Sequence, residues 1–322
     1  MNWNPKCAYC GHVNHPDSEV CGRCDFPLGG DDARDSAGAP PPPYAYDAAP
    51  RAPAGWVPSV RFRGAGDVIA PMLEVFRKHF QLVVVFVVVV TAAEALLRYG
   101  LALALAPDAG AVDAARVIEP YGFYTAEGVP GALAVWLASL AGFSMLTASF
   151  AYAVLDLQLA GATSAAACLR RGLRALPKVF LIHLMYTLAT ALGYALFIVP
   201  GVILSLTYAV AVPAAIAEGA GAFESFARSA ELTRGYKGLV FVTYFLWWIA
   251  VAVVGYVVSA SFTYGGGRYT LPYVAVDALV GGVLNSTTAV LSVFIYLGLL
   301  RENGRGLDAS AFAHDTAAAA GR

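Results

Sequence analysis

The stretch EGAGAFESFARSAELTRG, residues 218–235, carries five charged side chains between two long apolar runs. The run before it ends in VPGVILSLTYAVAVPAAIA, residues 199–217, and the run after it begins with LVFVTYFLWWIAVAVVGYVV, residues 239–258. A polar stretch between two membrane-length runs is either a loop or a helix lying along the membrane surface. The distribution of its side chains favours the helix.

Placed at 100° per residue, the stretch separates its side chains by polarity. One face takes the apolar and small residues Phe223, Phe226, Ala227 and Ala230. Another face takes Glu224, Arg228 and Glu231, and Gly235 is a plausible stop signal. The pattern predicts an amphipathic helix over residues 221–234 that lies in the cytoplasmic interface and feeds the next span.

Composition indicates a membrane protein. The 322 residues are 58% apolar and 13% charged, with a mean hydropathy of +0.62. Soluble domains carry roughly 25% charged residues. The formal net charge of -1 gives no reason to expect a nucleic-acid partner.

Six runs are long enough to span a bilayer, which takes about 20 apolar residues. They are Leu82–Ala106, Gly131–Leu155, Val179–Val199, Gly201–Ala217, Leu239–Ala260 and Tyr273–Leu300. The third and fourth meet at Pro200 and Gly201, which predicts a tight hairpin there. Because the fourth run is short, a re-entrant pair is the alternative. The first run begins well inside the chain, so the spans themselves are expected to direct membrane insertion.

Basic residues orient the spans, because Lys and Arg concentrate on the cytoplasmic side. The segment between spans one and two is acidic, with Asp108, Asp113, Glu119 and Glu127 against Arg116. The segments on the other side are basic, with Arg61, Arg63, Arg77, Lys78, Arg170, Arg171, Arg174, Lys178, Arg301 and Arg305. Six spans with both termini in the cytoplasm, in the inner membrane, satisfy this distribution.

Two further stretches repeat the amphipathic pattern before a pair of spans. Asp67–Phe80 groups Val68, Ile69, Met72, Leu73 and Phe76, and Thr163–Leu176 groups Leu169, Leu173 and Leu176 away from Arg170, Arg171 and Arg174. The predicted fold is therefore an all-α polytopic membrane protein. It has six transmembrane helices, three interfacial amphipathic helices and a small N-terminal zinc ribbon.

The membrane part resembles a known domain. The stretch FIVPGVILSLTYAVAVPAAIAEGAGAFESFARSAELTRGYKGLVF, residues 197–241, and the entry LEVFRKHFQLVVV, residues 73–85, are similar to the membrane domain of glycerophosphoryl diester phosphodiesterases. They also resemble related uncharacterised bacterial six-span proteins. The resemblance covers about residues 67–301 and implies the fold. The phosphodiesterase activity of that family resides in a separate barrel of about 250 residues, so it is not carried over to this chain.

The N-terminus contains a metal-binding pattern. Cys7 and Cys10 form one Cys-x2-Cys pair, and Cys21 and Cys24 form a second. Two such pairs present four thiolates to one tetrahedral Zn²⁺, and a closed set of four ligands indicates a structural site. The alternatives are two disulfides, which a cytoplasmic N-terminus disfavours, or idle thiols. The segment also resembles bacterial zinc ribbons.

The sequence divides the chain into four parts. Residues 1–28 form the zinc ribbon and residues 67–301 the six-span domain. Residues 29–66, rich in Pro, Ala and Gly, read as a disordered linker, with a docking site for a proline-binding module as the alternative. Residues 302–322 read as a disordered tail.

Polar residues within the spans are candidates for a transport path. Glu94 and Arg98 lie four apart in span one and share a helix face, so they can pair either as part of such a path or as a structural pair near the outer interface. Asp156, His183 and Cys168 are expected to be interfacial or ordinary side chains. The sequence contains no nucleophile–base set that stands out, so no catalytic residues are predicted.

Three classes of function remain open. The first is a non-catalytic membrane protein that contacts the lipid bilayer and whose ribbon docks a cytoplasmic protein partner. The second is a transporter or lipid-handling protein that uses the six-helix bundle. The third, a membrane enzyme, is disfavoured. The tethered ribbon favours the first.

Overall fold

A computed structural model describes residues 56–105, 128–264, 271–305 and 307. Apart from one isolated antiparallel bridge between Trp56 and Leu307, the regular structure in these ranges is helical. The helices are α1 Gly66–Lys78, α2 Phe80–Leu105, α3 Gly128–Ala160, α4 Ala165–Leu196, α5 Ile198–Thr207, α6 Ala211–Ala217, α7 Ala222–Leu232, α8 Lys237–Tyr264 and α9 Leu271–Glu302.

Six candidate spans are present in the described part of the chain, which confirms the predicted all-helical membrane fold. They are Phe80–Leu97, Leu133–Ala160, Ala165–Leu196, Ile198–Ala217, Lys237–Val258 and Leu279–Glu302. The fourth span combines α5 and α6 and is interrupted between them. These helices are long enough to cross a bilayer, because a hydrocarbon core of roughly 30 Å needs about 20 helical residues.

Helix α9 forms the centre of the bundle. Every residue from Ala289 to Leu300 is buried, and α9 packs against α1, α2, α3 and α8. Helix α8 lies at the outside, with Trp248 and Tyr256 among its exposed aromatic side chains. An exposed apolar face on a membrane span is the surface that meets lipid.

The chain enters the bundle along the last turns of α9. Phe62 is buried, and a Cβ on Gly298 would lie 2.7 Å from its side chain. Arg301 donates hydrogen bonds to the carbonyls of Pro58 and Ser59. Most of the predicted linker, residues 29–66, lies outside the described residues. From Trp56 onward, the chain is packed against the bundle.

The turn between spans three and four is not where the sequence predicts it. Helix α4 ends at Leu196, Phe197 is extended with φ −163° and ψ 157°, and α5 begins at Ile198. The prediction of a turn at Pro200–Gly201 was wrong because proline is tolerated in the first turn of a helix, where its missing N–H is not needed. Gly201 instead permits close helix packing, since a Cβ on Gly193 would lie 2.9 Å from its Cα.

The predicted middle interfacial helix, residues 163–176, is not a separate element. It is continuous with span three as α4, Ala165–Leu196, and the helix passes through Pro177. Buried residues follow one face on both sides of the proline, including Arg171, Ala175 and Val179. Packing on this face holds the helix together across Pro177. The first and third predicted amphipathic helices are observed as the separate helices α1 and α7.

Candidate functional site

One end of the bundle gathers the polar contacts. Asn303 donates to the carbonyl of Leu232, which joins the end of α9 to the end of α7. The α1–α2 junction lies against the α3–α4 turn, and both line an open groove. Because Trp56 and Leu307 also lie here, this end is called the termini end below.

A buried ion pair joins α3 to α4 at the termini end. Arg171 Nη1 donates to Asp156 Oδ1 over 3.1 Å, and its Nη2 donates to the other carboxylate oxygen. Both side chains are less than a tenth exposed. Thr163 donates to the same carboxylate over 3.2 Å, and the Arg171 guanidinium lies 4.9 Å from the centre of the Tyr152 ring. Since one partner neutralises the other, the pair is tolerated in an apolar interior.

The sequence missed this pair. Arg171 was expected to point away from the apolar face of its helix together with Arg170 and Arg174, but it is buried, whereas Leu173 is 61% exposed. That part of the helical assignment was wrong. Asp156, which was expected to be an interfacial side chain, is 7% exposed and is the partner that holds Arg171 inside.

A second polar network surrounds Glu218, just after α6. Arg228 Nε donates to both carboxylate oxygens of Glu218, over 2.9 and 2.8 Å, and the Tyr296 hydroxyl donates to the same carboxylate over 2.8 Å. Arg228 Nη1 also donates to Glu231, which in turn accepts from Arg305 over 2.5 Å. The network therefore connects α7 to α9 and to the chain beyond it.

The charges of this network are mutually stabilising. Burial disfavours the charged guanidinium of Arg228, but the hydrogen bonds and charge of Glu218 outweigh this and raise the pKa of Arg228. Hydrogen bonds from Arg305 and Arg228 lower the pKa of the Glu231 carboxyl. Arg228 was predicted to lie on the polar face with Glu224 and Glu231, but its side chain is only 17% exposed because it pairs with Glu218.

Helix α7 also covers the interruption in span four. The Ser229 hydroxyl donates to the carbonyl of Thr207 over 2.8 Å and accepts from the amide of Val210 over 3.3 Å. Thr233 donates to the same carbonyl over 3.3 Å. These contacts satisfy backbone groups that the break between α5 and α6 leaves unpaired. Ser225, Ser229 and Leu232 form the buried face of α7, while Phe223 is 74% exposed.

The groove at the termini end has a volume of about 800 Å³ and is open to the surroundings. It lies between the α1–α2 junction and the α3–α4 turn. Its polar and aromatic lining includes Arg77, Lys78, His79, Phe80, Gln81 and Thr163. Lys78 Nζ lies 2.7 Å from Glu74, one turn earlier on α1. Thr163 connects the groove to the Asp156–Arg171 pair.

Of the other polar residues predicted within the spans, those whose side chains are described lie apart from these two networks or contact them only at the edge. Glu94 lies against α3, where a Cβ on Gly142 would come within 2.6 Å of its carboxylate. The side chain of Arg98 lies outside the described residues, so the predicted Glu94–Arg98 pair stays a prediction. The His183 ring accepts or donates at 2.9 Å from the Ser144 hydroxyl. Cys168 is a buried free thiol.

The predicted zinc ligands Cys7, Cys10, Cys21 and Cys24 all lie outside the described residues. Within the part that the structure describes, no group of three or more His, Cys, Asp or Glu side chains could hold a metal. The zinc site therefore rests on its spacing in the sequence.

Six apolar helices define a multi-pass helical membrane protein. The profile of the Uncharacterised protein family UPF0259 matches residues 131–298, and the chain belongs to this family. The matched region runs from α3 into α9 and contains the Asp156–Arg171 and Glu218–Arg228 ion pairs.

A relative is the UPF0259 membrane protein SG1383 of Sodalis glossinidius (strain morsitans). It is 30% identical over 121 residues, which are 38% of this chain and 46% of the relative. The alignment thus spans about half the length of that protein. No solved structure matches the chain. The resemblance to uncharacterised bacterial membrane proteins is supported, while the likeness to the phosphodiesterase membrane domain stays a prediction.

Proposed function

We propose that this chain is a non-catalytic protein of the inner membrane that presents a cytoplasmic structural zinc ribbon to a protein partner. The observation that carries the proposal is the pair of Cys-x2-Cys motifs, Cys7/Cys10 and Cys21/Cys24, ahead of a six-span domain. A ribbon of fewer than about 40 residues usually needs its metal to fold. Its role would be recognition, because four thiolate ligands leave no open position on the metal for chemistry.

The packing of the termini end supports a cytoplasmic ribbon. Arg301 holds the carbonyls of Pro58 and Ser59, so the chain from the ribbon reaches the bundle at the same end as the chain after α9. Arg228, Arg305 and the basic residues of α1 lie at this end. Under the positive-inside rule, an end rich in Arg and Lys faces the cytoplasm.

Elemental analysis of the purified full chain tests the metal. We expect one zinc per chain, loss of zinc in the variant Cys7→Ser/Cys10→Ser, and retention in Cys168→Ser, the matched change at the fifth cysteine. A wild-type chain that is folded and free of zinc would refute the site. Docking is then tested by pull-down with the wild type and the zinc-free variant. Recovery of the same proteins by both would exclude a role for the ribbon.

Labelling with an impermeant thiol reagent tests the orientation. A cysteine introduced at Ala115 should react from outside intact cells, and one introduced at Ala39 should react only after the membrane is opened. The reverse pattern would place the ribbon outside the cytoplasm.

The alternative function is a transporter or lipid-handling protein that uses the six-helix bundle. The interruption between α5 and α6 favours it, because interrupted spans line solute sites in many transporters. A cysteine at Val210 distinguishes the two roles. If a small aqueous thiol reagent labelled this cysteine as fast as a cysteine introduced at the exposed Arg234, the result would indicate a water-filled path. Protection at Val210 is expected if Ser229 simply closes the break.

A further inference from the structure

The open groove at the termini end carries positive charge on one wall. Arg77 and Lys78 are exposed at the last turn of α1, and His79 lies at the junction with α2. Thr163 lies on the opposite wall, where its hydroxyl donates to Asp156. Arginine and lysine are the common side-chain partners of phosphate.

The nearest carboxylates leave a positive balance in the groove. Glu74 pairs with Lys78, and Asp156 behind Thr163 is occupied by Arg171. Arg77 therefore adds charge that these two carboxylates do not compensate.

An apolar stripe continues from the groove along the outside of α2. Phe80, Val84 and Val88 are spaced four residues apart and are 59%, 37% and 44% exposed. Residues four apart lie above one another on a helix. Val85 and Val89 widen the stripe on the same helix, at 42% and 47% exposed. A cationic groove above an exposed apolar stripe matches an amphiphile with a negative head and hydrocarbon tails.

We propose that the groove binds the phosphate headgroup of an anionic membrane phospholipid, whose acyl chains lie along the Phe80–Val84–Val88 stripe. The charge of Arg77 and Lys78 selects anionic over zwitterionic headgroups. The stripe distinguishes a lipid from free phosphate, because only the lipid can bury apolar surface there. The proposal is independent of the zinc ribbon, since none of its residues belongs to the N-terminal segment.

The test is a native mass spectrometry titration of the full chain in detergent with phosphatidylglycerol and, separately, with phosphatidylcholine. We expect a saturable phosphatidylglycerol site that Arg77→Gln/Lys78→Gln weakens about tenfold, since each basic residue near a membrane surface contributes several-fold to anionic lipid binding. The matched control is Arg234→Gln/Lys237→Gln, which removes the same charge elsewhere at the termini end and should leave the affinity unchanged. Equal losses in both variants would mean a diffuse field and would overturn the site.

Two further arms identify the ligand. Val84→Ser/Val88→Ser should also weaken phosphatidylglycerol binding, and inorganic phosphate should not displace the lipid. Displacement by micromolar phosphate, or full binding by the serine variant, would make the ligand free phosphate and would refute the lipid assignment. If the double glutamine variant does not purify as a folded monodisperse protein, Arg77→Gln alone gives the same comparison.

Discussion

Replacing Arg171 by methionine should lower the free energy of unfolding of the bundle more than replacing any other arginine of α4. The substitution keeps much of the side-chain volume but leaves Asp156 buried without its cation. At the observed 3.1 Å separation, the attraction is about 5 kcal/mol with an effective dielectric constant of about 20. Part of it is offset by the desolvation of the guanidinium. Removing one partner of a buried pair costs roughly 3–5 kcal/mol in measured cases.

The assay is unfolding of the purified protein by SDS, followed by circular dichroism and fitted to a free energy of unfolding. Arg174→Met is the matched control, because Arg174 is an exposed arginine one turn away. It should change stability by less than about 0.5 kcal/mol. The double variant Asp156→Leu/Arg171→Met should recover most of the loss, because an apolar pair can replace a buried ion pair. A single variant as stable as wild type, or a double variant no better than the single one, would refute the reasoning.

Three other changes have expected outcomes. Gly193→Ala should destabilise the bundle by about 1–3 kcal/mol in the same SDS assay, because its Cβ would lie 2.9 Å from the backbone of α5. The control is Gly238→Ala, whose added Cβ would have no atom within 4 Å, so this change should be neutral or slightly stabilising. Phe226→Ala should lower the free energy of unfolding by about 2 kcal/mol, roughly half the value for a fully buried phenylalanine. Phe223 is 74% exposed, so its replacement by alanine should change stability by less than about 0.5 kcal/mol. Equal effects of the two changes would contradict the observed face of α7. The pKa of the Glu231 carboxyl is lowered from 4.5 in the folded state. The carboxylate therefore contributes fully to folding stability above pH 4.5, and this contribution is lost as the pH falls through the lower folded-state pKa. Spin-label distances between α7 and the chain after α9 should lengthen on acidification, and a Glu231→Gln variant that keeps the same pH response would contradict this.

The spans could be predicted because hydropathy and length are local properties of the sequence. The α4–α5 turn could not be placed by the same means, because Pro200 fits both a turn and the first turn of a helix. Helix α7 was expected from its periodicity, but its buried face was misjudged. The serine residues at positions 225 and 229 face the bundle, and serine reads as polar on a helical wheel although its small size suits close packing between helices.

The polar network around Glu218 and Glu231 depends in part on distant parts of the chain. Glu218 and Tyr296 are separated by 78 positions, and nothing in their local sequence marks them as partners. The burial of Arg171, in contrast, could have been predicted from its neighbours. It shares a face with Cys168, Gly172 and Ala175, all buried, and a row of small residues on one face of a helix indicates close contact with another helix. A charged residue on such a face needs an opposite charge nearby.

The burial of α9 has a consequence for how the protein is made. This helix is the last that the ribosome produces among the described ones, yet it forms the centre of the bundle, with twelve successive residues buried from Ala289 to Leu300. Before α9 has left the ribosome, α2, α3 and α4 can already pack against one another, but the faces of α2 and α3 that contact α9 remain uncovered. A messenger truncated before α9 would therefore yield inserted helices that expose these faces in the membrane.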